Sequence, residues 1–245
     1  MTSTGAEWGR LEREIVRCRK CPRLRSHCVE VARVKRRAYR DEPYWGKPVP
    51  GFGDARARIL IVGLAPAAHG ANRTGRMFTG DRSGEWLVAA LHRAGLASRA
   101  HAVSRDDGLR LRDAYITAAC RCAPPGNRPT PAEIENCAPY LDREFDLLRG
   151  LEVVVALGRV AWDAVVARAR RVDPASVPSP RPAFGHGAEA RLVVRSGAAP
   201  VPVLGVYHPS QQNTHTGRLT RPMLDGVLRR AVRRADGRSL RARSP

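Results

Sequence analysis

No run of eighteen apolar residues occurs in this 245-residue chain, and no signal-like apolar stretch stands at its N-terminus. The first absence excludes a membrane-spanning helix, and the two together lead us to expect a cytoplasmic protein. The glycine-rich patterns G-x-x-x-x-G-K-[ST] and G-x-G-x-x-G are missing as well, which argues against an enzyme that cradles free nucleotides in such a loop. No internal repeat is found, so a solenoid or propeller is excluded. Lysine is nearly absent: it supplies three of 43 basic residues, against 23 acidic ones, for a formal net charge of +20. An arginine excess of this size points to a polyanionic partner, because cations that neutralise phosphates release counterions. Codon bias towards arginine on a merely solvated surface is the plainer alternative.

Six cysteines in a reducing compartment are expected to stay out of disulfides. Cys18 and Cys21 form a C-x2-C pair at the end of a predicted helix, and Cys122 and Cys137 bracket a proline-rich stretch; Cys28 and Cys120 remain. Four thiolates from two remote segments suit a zinc ion or an iron-sulfur cluster, although a zinc ribbon usually repeats the short pair, which this chain does not. Buried, unligated cysteines are the third alternative.

Four apolar runs, 58–65, 114–119, 151–157 and 201–207, read as strands of a parallel sheet, separated by helical patterns at 83–96, 161–172 and 224–234. Thr130, Pro131 and Glu133 have the form of a capping box that opens a helix through Leu148. Strand-helix alternation with right-handed crossovers predicts one α/β domain over 1–245, a three-layer αβα sandwich around a four-stranded parallel sheet. Residues 173–200, rich in proline and alanine, read as a surface loop, and the arginine-dense end, about 236–245, as a tail leaving the last helix.

The strand at 58–65 launches a polar segment, 63–81, that holds four glycines with His69, Asn72, Phe78 and Asp81. The strand at 201–207 runs into His208-Pro209-Ser210-Gln211-Gln212-Asn213. Loops that follow the carboxyl ends of parallel strands gather along one rim, so the two segments should face each other there as an active site. Read from the residues, Phe78 is either a flat platform or ordinary core, and His208 either a catalytic donor or a satisfied strand-end histidine. Asp81 is either a catalytic carboxylate or a helix N-terminal residue held by the dipole. His69 either lines the pocket or braces the loop.

Gly63 to Asp81, the Cys122 to Cys137 segment and His208-Pro209-Ser210-x-x-Asn213 together resemble the uracil-DNA glycosylase superfamily, most closely its family 5, the B type. The resemblance implies removal of uracil and other deaminated bases, hypoxanthine included, from DNA by a monofunctional hydrolase that we expect to be a monomer. It implies a 4Fe-4S cluster on Cys18, Cys21, Cys122 and Cys137, with Cys28 and Cys120 as ordinary residues. The related family 4 pattern has a glutamate where this chain has Leu64 and a base-reading asparagine where it has Ala118. With no acid at 64, Asp81 becomes the candidate to orient or deprotonate water, Asn127 a candidate to hold the same water, and His208 the donor to the departing base. Gly63, Leu64, Ala65, His69, Asn72 and Phe78 are the expected substrate pocket. Ser210, Gln211, Gln212, Asn213, Thr216, Gly217 and Arg218 are the expected DNA-contacting loop. A non-catalytic iron-sulfur protein that only binds DNA is the competing reading from another class.

Overall fold

The computed structural model describes residues 3–242. In chain order the elements are α1 (Ser3–Arg17), α2 (Pro22–Val34), β1 (Phe52–Gly53), β2 (Ile59–Gly63), the single turn α3 (Ala71–Thr74), α4 (Arg82–Arg93) and β3 (Ala114–Ala118). There follow α5 (Pro131–Leu147), β4 (Val153–Leu157), α6 (Arg159–Val172), β5 (Glu189–Leu192), β6 (Val201–Val206), the short α7 (Gln211–His215) and α8 (Arg221–Ala242).

β3, β2, β4 and β6 are parallel neighbours, and each is buried along its whole length, as an apolar run with helices on both faces must be. Alternation along the strands divides the core. Ile59, Ile61, Val153 and Val155 face α4 and α8, while Leu60, Val62, Val154 and Ala156 face α1, α5 and α6.

The four expected parallel strands form the centre of a six-stranded sheet in the order β1-β3-β2-β4-β6-β5, with β1 and β5 added antiparallel at the edges. Neither edge strand has a readable signature: β1 is two residues long, and β5 reads Glu-Ala-Arg-Leu with only Leu192 buried. Edge strands carry one-sided, polar patterns that hydrophobic periodicity does not report. Residues 173–200 are accordingly not all loop, since β5 lies within them. The last helix, expected over 224–234, is longer: α8 runs from Arg221 through Ala242, and 243–245 lie outside the described residues. The capping box forms as expected. The Thr130 amide donates to Glu133 Oε2 at 2.8 Å, and Thr130 Oγ1 accepts from the Glu133 amide at 3.3 Å.

Candidate active site

Because β2, β4 and β6 are parallel neighbours, the segments leaving their carboxyl ends share one edge of the sheet. Phe78 returns over the end of β2 with φ at 50°, a left-handed conformation that a bulky residue adopts only where its surroundings hold it. A methyl group on Gly63 would come within 2.8 Å of the Phe78 ring, so the strand end must be glycine for the ring to lie there. His208 stands over the end of β4, where a methyl on Gly158 would sit 3.3 Å from its Cβ. The Phe78 and His208 rings lie 6.0 Å apart between centroids, inclined at 33°. Phe78 also packs on the core beneath, so platform and core roles coincide in one ring.

Burial pushes the His208 imidazole down to about 4, which keeps the ring neutral at physiological pH. Its loop is tied to it. The His208 carbonyl accepts from Asn213 Nδ2 and from the Ser210 amide, both at 2.8 Å, and Ser210 caps α7 by accepting from the Asn213 amide. Gln211, Gln212, Thr216, Gly217 and Arg218 are exposed, with the Arg218 guanidinium 4.7 Å from the Tyr207 ring centroid.

Asp81 is the N-cap of α4: its Oδ1 accepts from the Gly84 amide at 2.8 Å. The rest of the carboxylate presses on Gly70, where any side chain would collide with it. Burial raises the Asp81 carboxyl above its ordinary value, against the lowering effect of the Gly84 and Ser83 amides. Asn127 is exposed in left-handed backbone, φ 57°, and among the described residues no hydrogen bond joins it to Asp81 or His208. Leu64 and Ala65 are half-buried, and the Leu64 carbonyl accepts from the Cys120 amide at 3.0 Å, carrying the β2–β3 pairing past the strand ends.

His69 and Asn72 brace the loop. The His69 Nδ1 and the Tyr44 hydroxyl are hydrogen-bonded at 2.9 Å. Asn72 is fully buried, and its Nδ2 reaches the carbonyls of Cys28 at 3.3 Å and Ala68 at 3.4 Å, joining the rim loop to α2. Sequence reasoning missed Tyr44 and Arg73. Arg73 bonds the Gly80 carbonyl at 2.8 Å and the His69 carbonyl at 2.8 Å, and pairs with Glu42. The one sequence signal was the place of Arg73 in an unusually polar glycine-rich stretch; nothing local marked Tyr44.

The six cysteines converge between the start of α2, the segment after β3, and α5. Cys21, Cys28 and Cys122 share a small core with Leu24 and Ala123, against which Ala68 of the rim loop packs. The Cys21 thiol lies within electrostatic reach of Cys18 and Cys137, and Cys120 within reach of Cys21, Cys122 and Cys137. Cys122 pairs with Cys28 beside Arg25, and Cys137 with Cys120. Among the described residues no group of three or more His, Cys, Asp or Glu side chains stands in ligating array. The donor set, thiols alone and largely buried, is of the kind a soft metal centre uses; Cys120, Arg121 and Lys20 lower the Cys137 thiol, whereas burial raises Cys21, and Cys28 with burial raises Cys122. Between Cys120 and Cys122, Arg121 is fully buried and bonds Glu144 Oε2 at 2.6 Å, which also accepts from Thr117 at 2.6 Å. This pair anchors the cysteine segment to α5.

Four central parallel strands with helices on both faces, and a glycine-rich loop and a histidine loop at their carboxyl ends, define the α/β class of fold. The model of the uracil DNA glycosylase superfamily matches residues 50–231, and the chain belongs to that family. It is 57% identical over 219 residues to a type-5 uracil-DNA glycosylase of Mycobacterium tuberculosis, covering 89% of this chain and 78% of that protein. It is 53% identical over 226 residues to the type-5 uracil-DNA glycosylase of Mycobacterium leprae, covering 92% and 94%. With the type-5 uracil-DNA glycosylase of Thermus thermophilus it shares 49% over 222 residues, covering 89% and 94%.

Proposed function

We propose that this chain excises uracil from DNA by hydrolysing the N-glycosidic bond and leaving an abasic site. The observation that carries the reading is the pairing of Phe78 with a neutral His208 across the ends of β2 and β4. Cleavage of this bond develops positive charge on the sugar and negative charge on the departing base. A neutral imidazole N–H aimed at the base carbonyl stabilises that anion without surrendering a proton beforehand, a contribution of roughly 3 to 4 kcal/mol for one preorganised donor. Phe78 supplies a flat apolar face for a base turned out of the stack, and the exposed loop of Gln211, Gln212, Thr216, Gly217 and Arg218 contacts the backbone around the vacated space. Asp81 keeps lone pairs beyond those given to the α4 amides, and with Asn127 it orients water or steadies the cationic sugar.

Leu64 and Ala118 bring no acid and no base-reading amide to the pocket, so recognition rests on shape and stacking, and hypoxanthine and related deaminated bases are substrates too. Cys18, Cys21, Cys122 and Cys137 would hold a 4Fe-4S cluster, which would act as a structural group and not in the hydrolysis. The test is a panel of duplexes, each with one altered base, assayed for free base and abasic sites. Release of uracil is expected, with hypoxanthine behind it; DNA binding with no base released from any member would sink the reading and leave a non-catalytic DNA-binding protein.

A further inference from the structure

We propose that a groove beside the rim binds an unpaired stretch of the DNA strand that carries the target base; the inference rests on the glycosylase reading above. The groove encloses about 730 Å³ between one face of α4 from Arg82 to Arg93, the segment 100–103, Tyr39 and Glu42, and the start of α8. Trp86 and Val103 form its apolar surface, and Val103 is 66% exposed, one of few large apolar side chains so placed. The Arg221 guanidinium lies 5.8 Å from the Trp86 ring centroid.

The charges decide the occupant. Two carboxylates line the groove, and each is already answered: Glu42 by Arg73, Glu85 by Arg82. Arg93 is held by Asp225. Arg221 has no carboxylate partner among the described residues, so the groove offers an uncompensated positive charge beside an indole ring. An arginine resting on an aromatic face can pass to a phosphate while a base takes up the ring, the combination that binds single strands without regard to sequence. Position agrees with charge. Gly80, the neighbour of Asp81, forms part of the groove wall, and Arg221 opens α8 just past Arg218 of the DNA-contacting loop. The groove wall is thus continuous in the chain with both segments of the rim, the glycine-rich loop through Gly80 and the histidine loop through Arg218 to Arg221.

The experiment measures binding of the full chain to a lesion-free single-stranded oligonucleotide of about ten nucleotides by fluorescence anisotropy. Uracil excision from a short, fully paired duplex is followed in parallel. Trp86→Ala and Arg221→Ala should each weaken single-strand binding by about tenfold, given what one stacked base contributes. Trp86→Phe should bind within a few-fold of the parent, and all three should excise uracil from the short duplex at the parent rate. Parent-like binding by both alanine variants would overturn the proposal, as would equal loss in Trp86→Phe and Trp86→Ala. Displacement of the oligonucleotide by polyglutamate at matched charge would assign the groove to an acidic protein partner instead. If the parent releases no uracil yet binds single strands in a Trp86-dependent way, the rim reading falls and the groove stands.

Discussion

At Asp81 one carboxylate caps α4 and faces the rim loop, and two substitutions separate these roles. Asparagine caps a helix about as well as aspartate and relieves the buried charge, so Asp81→Asn should keep or raise the unfolding midpoint. Asp81→Ala removes the cap and should cost about 1 kcal/mol in urea denaturation. If the carboxylate acts on water, both lose excision rate; an Asp81→Asn protein as active as the parent would reduce Asp81 to a cap. His208 gives a pH signature. Its folded value of about 4 lies below the ordinary histidine value, so between the two the unfolded chain holds more protons and stability falls as the pH drops. From pH 7 to pH 5 this amounts to about 2 kcal/mol. The parent should therefore lose more stability over that interval than His208→Ala, and equal losses would contradict the neutral, buried ring. Residues of this kind were visible in the sequence as types and positions, whereas their partners were not. His69 meets Tyr44 and Asn72 meets Cys28 across long separations in the chain, and no local pattern records such a meeting.

Elements were the most legible scale, because four strands buried on both faces leave continuous apolar runs and Thr130-Pro131-x-Glu133 signs the start of α5. β1 and β5 escaped since an edge strand needs no such run, and the end of α8 escaped because arginine favours helix while looking like a solvated tail. The cysteine segments test how elements are joined. Protein purified without oxygen should be brown and hold about four irons per chain, as a 4Fe-4S centre requires. Cys28→Ser and Cys120→Ser should retain the iron, and Cys21→Ser or Cys137→Ser should lose it. Stoichiometric zinc would refute the cluster, and loss of iron from Cys28→Ser would reassign its ligands.

Over the whole molecule, a net charge of +20 is either a DNA footprint or an imprint of arginine-rich coding. Several arginines are occupied internally, as Arg76 by Asp107, Arg121 by Glu144 and Arg168 by Asp146, and these cannot also serve phosphates. Exposed ones such as Arg218 can. The logarithm of duplex affinity should then fall linearly with the logarithm of salt concentration, by about 0.9 per phosphate neutralised, and a flat response would return the charge to codon usage.

The central claim is that the Phe78–His208 rim performs the hydrolysis, and single-turnover excision from a uracil-containing duplex by the parent and by His208→Ala tests it most directly. The parent should release uracil, and His208→Ala should do so about a hundred- to a thousandfold more slowly with duplex affinity almost unchanged, because the lost donor acts on the departing base and not on phosphates. Excision by His208→Ala at the parent rate would contradict the account.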